Sequence, residues 1–233
     1  MPTVGAEASD AVMNAVGDGR LDAARVRGSA RRVLETKARA GLHLGRMVDL
    51  DAVDEVVGSA DHLAFADTVA TRSITLLRDR DGVLPVDAHR SRSVLSLTYA
   101  RTDDLTAGNT FDPALAGRVE VARRVRVGPE TPSEVYDSLR GSAGAADLVI
   151  VSVYVPPRSG SGEVSVSEDM ADFIATVGPE RPMMVISFGN PYLLTSLPES
   201  PGYLIAWGPH DVSQNAAVRA LFGRSEEHTS ERP

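Results

Sequence analysis

The segment Leu148-Val149-Ile150-Val151-Ser152-Val153-Tyr154-Val155 is a run of apolar and β-branched residues without polar alternation. A strand that faces water on one side alternates apolar with polar residues, whereas a strand covered on both faces reads as a continuous apolar run. The segment therefore predicts a strand in the centre of a parallel sheet.

Shorter runs of the same kind lie on both sides of this segment and predict five more strands, at Ile74–Leu77, Val94–Thr98, Val119–Val125, Met183–Phe188 and Tyr203–Trp207. Helical patterns separate most of them, at about residues 61–73, 132–142, 167–177 and 212–222. Strands alternating with helices are typical of parallel βαβ units. The predicted fold class is α/β, a parallel-rich, doubly wound α/β sandwich.

The composition excludes several classes of function. The chain has 233 residues and a net charge of −8, without a basic stripe with interleaved aromatics, so nucleic acid is not an expected partner. No apolar run approaches the ~18 residues that a membrane-spanning helix needs, so no such helix is expected. Cysteine is absent, which rules out thiolate chemistry but does not fix the compartment. Four of the five histidines lie scattered without an i,i+4 pair, so no metal site is predicted: His43, His62, His89 and His210.

The N-terminal part has a different pattern. A short helix is predicted at residues 8–16, and Asp22 then caps a longer amphipathic helix that runs to about Ala40 and stops at Gly41. Residues 42–60 are only weakly periodic and are interpreted as a linker.

Three stretches carry a family resemblance. The first is the pattern Arg-x-Leu-x-x-Lys-x-x-x-Gly-Leu within residues 29–42. The second is residues 66–79 with Leu84-Pro85, and the third is Val185-Ile186-Ser187-Phe188-Gly189-Asn190-Pro191-Tyr192-Leu193-Leu194. Together they resemble glycoside hydrolase family 3, in which an α/β sandwich domain follows a catalytic (β/α)8 barrel. The third stretch resembles the β-N-acetylhexosaminidase branch.

The resemblance implies a domain division. Residues 1–41 would be a helical remnant of the (β/α)8 barrel, residues 42–60 the linker, and residues 61–223 the sandwich domain. Residues 224–233, Arg-Ser-Glu-Glu-His-Thr-Ser-Glu-Arg-Pro, resemble a translated frame of a common sequencing adapter. They are interpreted as adapter-derived, and the chain as a fragment of a longer protein.

The resemblance also implies a chemistry. Family members hydrolyse β-linked sugars with retention, through a carboxylate nucleophile and a general acid, without metal or organic cofactor. The nucleophile is an Asp of the barrel, and in the hexosaminidase branch the acid is a barrel His with an Asp partner. Both would lie upstream of this sequence, so no catalytic residue is expected in it. Its implied partner is the missing N-terminal barrel domain of the same chain.

In the β-glucosidase branch, by contrast, the acid/base is a Glu of the sandwich domain. The candidates for that role are Glu163 and Glu168, in or beside the loop after the long central strand. Glu168 also fits a capping box three residues after Ser165. Arg158 and Asn190 are candidates to bind a substrate hydroxyl or N-acetyl group, although Asn190 also suits a turn.

Three functions stay open at this point. The first is a fragment of a retaining exo-β-glycosidase, β-N-acetylhexosaminidase-like and inactive alone. The second is a β-glucosidase or xylosidase of the same family. The third is a non-catalytic, flavodoxin-like ligand-binding module. The barrel-closing helix at 22–40 favours an enzyme over a module, and the stretch Phe188–Leu194 favours the hexosaminidase branch.

Overall fold

A computed structural model describes residues 5–156 and 165–223 of the chain. Contacts between Cα atoms divide these residues into two compact units, with the boundary between Ser59 and Ala60. The two units are described in turn.

The first unit is helical and contains α1 (Gly5–Gly17), α2 (Ala23–Arg39) and α3 (Val53–Val56). The predicted long helix is confirmed: the Asp22 side chain accepts a hydrogen bond from the Ala24 N–H and caps α2. Gly41 has φ +72°, a left-handed conformation that ends helices and that glycine adopts without strain. No residue of α2 is buried.

Within its described residues, the second unit contains five α-helices, a short 3₁₀-helix (Leu193–Ser196) and six strands. The helices are α4 (Ala60–Ser73), α5 (Phe111–Ala116), α6 (Ser133–Gly144), α7 (Glu168–Val177) and α8 (Asp211–Leu221). The strands are β1 (Thr75–Asp79), β2 (Val94–Ala100), β3 (Val121–Val127), β4 (Leu148–Tyr154), β5 (Met183–Ser187) and β6 (Gly202–Ile205). None of the described helices has the length and apolarity needed to cross a membrane.

The strands form one sheet in the order β1-β6-β5-β4-β2-β3. All neighbours pair in parallel except β1 and β6, which pair antiparallel. Strand β4 lies between β2 and β5 in this order, so the prediction of a central parallel strand at residues 148–155 is confirmed.

The side chains of the central strands alternate between two hydrophobic cores, one on each face of the sheet. Leu95, Leu97 and Tyr99 of β2 face a core completed by α6 and α7. Val94 and Ala100 of the same strand face the other core, completed by α5 and α8. Helices therefore cover both faces, which confirms the doubly wound α/β class and explains why β4 is apolar at nearly every position.

The bounds of several predicted strands differ from the structure, and one helix was not predicted. Strand β1 covers Thr75–Asp79 rather than Ile74–Leu77. Strand β3 begins at Val121 rather than Val119, and β6 ends at Ile205, before Trp207. Helix α5 was not predicted, because its six residues are too few for a helical period to show.

The two edges of the sheet carry different residues. The exposed side chains of Arg123, Arg124 and Arg126 line β3, whereas Leu76 and Leu77 of β1 are 49% and 50% exposed. A β-bulge between Leu76 and Arg78 interrupts the pairing of β1 with β6.

Candidate functional site

The order of the strands defines one switch point, at the carboxyl ends of β2 and β4. The chain leaves β2 toward β3 on one side and leaves β4 toward β5 on the other, so the loops diverge there. Open α/β sheets bind ligands at such points. The predicted site residues Arg158 and Glu163 follow β4 directly but lie outside the described residues.

Glu168 is the first residue of α7, and its side chain is exposed. The predicted capping box is wrong: the N-cap is Ser167 rather than Ser165, and it makes no side-chain capping hydrogen bond. The backbone N–H of Ser167 instead donates to the phenol oxygen of Tyr99, 2.8 Å away, at the end of β2.

Asn190 follows β5 and is buried, with 5% of its surface exposed. Its carboxamide oxygen accepts a hydrogen bond from the Tyr192 N–H at 2.9 Å, and its backbone carbonyl accepts one from the Ser187 hydroxyl at 2.8 Å. Both bonds shape the turn after β5. Turn formation therefore engages the carboxamide oxygen that was a candidate to bind substrate.

Gly189 brings the ends of β4 and β5 together. A Cβ atom at this position would lie 2.9 Å from the backbone nitrogen and Cα of Pro156, closer than real Cβ atoms approach. Glycine is therefore needed here because two backbones touch. The structure in this way brings the turn at Asn190 beside the residues that follow β4.

A half-buried carboxylate on α5 contacts the face of the sheet that α5 and α8 cover, and it was not predicted. Asp112 of α5 accepts hydrogen bonds from the hydroxyls of Ser96, at 3.1 Å, and Thr98, at 3.4 Å. The Thr98 hydroxyl also lies 3.2 Å from that of Ser152, in the centre of β4. Burial raises the pKa of the Asp112 carboxyl above its usual 3.8, against the opposing effects of Ser96 and Arg124.

The network of Asp112 adjoins a second polar group around Gln214 of α8. The Gln214 carboxamide oxygen accepts hydrogen bonds from the Tyr154 phenol, at 3.1 Å, and the Phe111 N–H, at 2.9 Å. The Tyr154 ring stacks on Phe188 with centroids 4.7 Å apart, and burial raises the pKa of its phenol well above the ordinary value. These contacts fix α5 and α8 against β4 and β5.

Arg126, near the end of β3, holds the loop that follows β2. Its guanidinium donates to the backbone carbonyls of Ala107 and Arg101, each at 3.1 Å, and to that of Asp104. Beside it lies a cavity of about 360 Å³, lined in part by Ala100, Arg126 and Glu130.

The polar cluster around Asp112 left a signal in the sequence. Three polar residues interrupt otherwise apolar strands: Ser96, Thr98 and Ser152. Their partner Asp112 could not be predicted from the sequence, because it lies on α5, the helix that was not predicted. No group of three or more acidic or histidine residues that could hold a metal ion occurs within residues 5–156 and 165–223.

The fold is shared with solved glycosidases. A glycoside hydrolase family 3 β-N-acetylglucosaminidase from a Paenibacillus species matches 93% of this chain and 40% of its own, with a TM-score of 0.65 and 22% identity. A β-glucosidase from Listeria innocua matches 92% of this chain and 32% of its own, with a TM-score of 0.65 and 19% identity. The chain thus has the α/β sandwich fold found in these enzymes.

A curated relative extends the likeness to sequence. A β-N-acetylglucosaminidase/β-glucosidase from Cellulomonas fimi is 30% identical over 222 residues, which cover 89% of this chain. No protein-family model matches the chain. The chain is thus related in sequence to this enzyme and shares its fold with glycoside hydrolase family 3 enzymes. It spans 38% of the length of the Cellulomonas relative.

Proposed function

We propose that this chain is the α/β sandwich part of a retaining exo-β-glycosidase of the β-N-acetylhexosaminidase type. The observation that carries the proposal is the 30% identity to a β-N-acetylglucosaminidase/β-glucosidase across 89% of the chain. The third resemblance stretch, residues 185–194, contains the end of β5 and the turn held by Asn190.

The proposed reaction proceeds in two displacements. A carboxylate attacks the anomeric carbon while an acid protonates the leaving oxygen, and water then releases the sugar from the enzyme. We propose that the nucleophile and, in this branch, the His acid belong to a barrel domain outside these 233 residues. The coverage of 38% of the relative supports this division. The chain alone is then expected to be inactive.

The role proposed for this domain is to hold the loops at the switch point of its sheet against the sugar. Asn190 and Gly189 fix the turn after β5, while Arg126 fixes the loop after β2. Both loops lie at the carboxyl edge of the sheet, where α/β sheets bind ligands.

A second candidate is the β-glucosidase reaction, which the double name of the Cellulomonas relative favours. In that branch a Glu of the sandwich domain would be the acid/base, and Glu163 or Glu168 would supply it. Glu168 is exposed at the start of α7, where an acidic residue also stabilises the helix dipole.

The test is to recover the longer gene, express its product and assay the nitrophenyl glycosides of N-acetyl-β-D-glucosamine and β-D-glucose. Preferential release from the N-acetyl substrate supports the first candidate. The 233-residue chain, assayed in parallel, is expected to release nothing. A longer product that hydrolyses neither substrate contradicts both candidates.

Two variants of the longer product separate the candidates. A general acid contributes about 10²–10⁴-fold to the rate, so Glu163→Gln or Glu168→Gln should lower activity by that factor only in the β-glucosidase mechanism. Azide restores turnover when the missing group is the acid/base. In the hexosaminidase mechanism both variants are expected to retain activity near that of the unmodified enzyme.

A further inference from the structure

The exposed tyrosine and tryptophan rings lie at one edge of the sheet. The chain has five tyrosines and one tryptophan. Four of the tyrosines are buried, with 1% exposure or less: Tyr99, Tyr136, Tyr154 and Tyr203. Tyr192 and Trp207 are 75% and 51% exposed, and they follow the neighbouring parallel strands β5 and β6. Both therefore extend from the carboxyl edge.

The position of Trp207 is held by two features. Its φ is +64°, and no other non-glycine residue in the described part of the chain has a positive φ. Its indole N–H donates to the backbone carbonyl of Ser73, at 2.8 Å, and approaches the hydroxyl of Thr75 at 3.3 Å. Strained backbone persists where the surroundings enforce it, and such residues cluster at functional sites. Here the strain presents half of a large ring to solvent rather than burying it.

The backbone beside Tyr192 is fixed as well. Its N–H donates to the carboxamide oxygen of Asn190 at 2.9 Å, and its carbonyl accepts a hydrogen bond from the Thr195 hydroxyl at 2.7 Å. The turn is thus ordered by its own side chains, while the ring it carries stays outside the core. Two exposed aromatic residues on fixed backbones thus extend from the same edge of the sheet, and an aromatic face of this kind can pack against a flat, partly apolar ligand.

We propose that Trp207, assisted by Tyr192, is a stacking platform for the pyranose ring of a β-gluco-configured sugar. In such a ring every substituent is equatorial, so the axial C–H groups make both faces apolar. An aromatic face packs against these C–H groups, and polar neighbours reach the hydroxyls at the rim. The choice of sugar rests on the proposed function, whereas the platform rests on the geometry of Trp207.

The test uses the chain itself, because Trp207 is its one tryptophan and reports its own surroundings. Titration with methyl β-D-glucoside and methyl N-acetyl-β-D-glucosaminide is expected to change the tryptophan emission saturably. Methyl β-D-galactoside, whose axial 4-hydroxyl interrupts one apolar face, is expected to bind more weakly. Ligand-observed NMR then follows variants that lack the fluorophore.

Loss of one aromatic contact, worth up to about 1.5 kcal/mol, corresponds to about tenfold, so Trp207→Ala should weaken binding by roughly that factor. Tyr192→Ala should weaken it less. The matched control is Phe65→Ala, which removes an exposed ring on α4 and should leave binding unchanged. A folded chain that shows no saturable signal, or equal losses in Trp207→Ala and Phe65→Ala, overturns the platform.

This outcome is separate from that of the proposed function. If the longer gene product hydrolyses its substrate while the chain binds no sugar, the platform is wrong and the function stands. If the chain binds sugar while the longer product hydrolyses neither nitrophenyl glycoside, the function is wrong and the platform stands.

Discussion

The phenol oxygen of Tyr99 accepts a hydrogen bond from the backbone N–H of Ser167 across 2.8 Å, joining the end of β2 to the start of α7. The neighbouring phenol of Tyr136 is equally buried, with 1% exposure, but its oxygen makes no hydrogen bond within the described residues. Two buried tyrosines close to Ser167 therefore differ in whether their hydroxyls are used.

This difference predicts opposite results for two conservative variants. Tyr99→Phe leaves the Ser167 N–H without its acceptor and should lower the free energy of unfolding by about 1 kcal/mol. Tyr136→Phe removes a buried hydroxyl that makes no hydrogen bond within the described residues, and it should be neutral or stabilising. Urea denaturation of both variants measures the difference. Equal losses in the two variants would contradict the assignment of the hydrogen bond.

The half-buried carboxyl of Asp112 predicts a pH dependence. Because its folded-state pKa is raised, the folded protein binds more protons than the unfolded protein between the usual pKa of 3.8 and the raised value. Its contribution to stability therefore falls as the pH rises through that window. Asp112→Asn keeps an oxygen acceptor for Ser96 but does not titrate. The unfolding free energy of the wild type, minus that of the variant, should decline with pH in this window, and a rise would refute the argument.

The guanidinium of Arg126 predicts a local effect on the loop after β2. Arg126→Lys keeps the charge but cannot donate to the carbonyls of Ala107, Arg101 and Asp104 at once. Hydrogen exchange of residues 101–107 should accelerate, while that of β4 should not change. The control is Arg124→Lys on the same exposed edge strand. If both variants accelerate exchange equally, the hydrogen bonds of the Arg126 guanidinium are not what orders the loop.

Two variants of Asn190 test whether its side-chain oxygen stabilises the turn after β5. Asn190→Asp retains an oxygen for the Tyr192 N–H, whereas Asn190→Ala removes it. The alanine variant should therefore be less stable by about 1 kcal/mol or more, and the aspartate variant should lie between it and the wild type. Thermal unfolding at neutral pH distinguishes the three proteins. An alanine variant as stable as the wild type would show that the turn does not depend on this side chain.

The fold was predictable because the sheet is parallel and covered on both faces. Strand β4 is apolar at nearly every position, since each of its faces meets a core. This pattern indicates a strand that is covered on both faces. Strand β1 was placed one residue early, and its antiparallel pairing was not predicted. A short edge strand with a bulge has no clear period of its own.

The candidate site was less predictable, because the polar residues that contact each other in it are far apart in the sequence. The contact of Asp112 with Ser96 and Thr98 joins a six-residue helix to a strand that precedes it. The hydrogen bond from the Ser167 N–H to the Tyr99 phenol spans 68 residues, and no local pattern in the sequence indicates it. Local rules identify turns and caps, whereas contacts between residues far apart in the sequence depend on the tertiary fold.

The unequal edges of the sheet have a consequence for handling the protein. The arginines along β3 resist the approach of another strand, whereas β1 offers two half-exposed leucines and an unpaired row of backbone groups. An edge of that kind is a template for strand addition. Concentrated solutions should therefore aggregate through β1. A lysine in place of Leu77 would act as a gatekeeper there, making this substitution the first choice for obtaining a sample that stays dispersed.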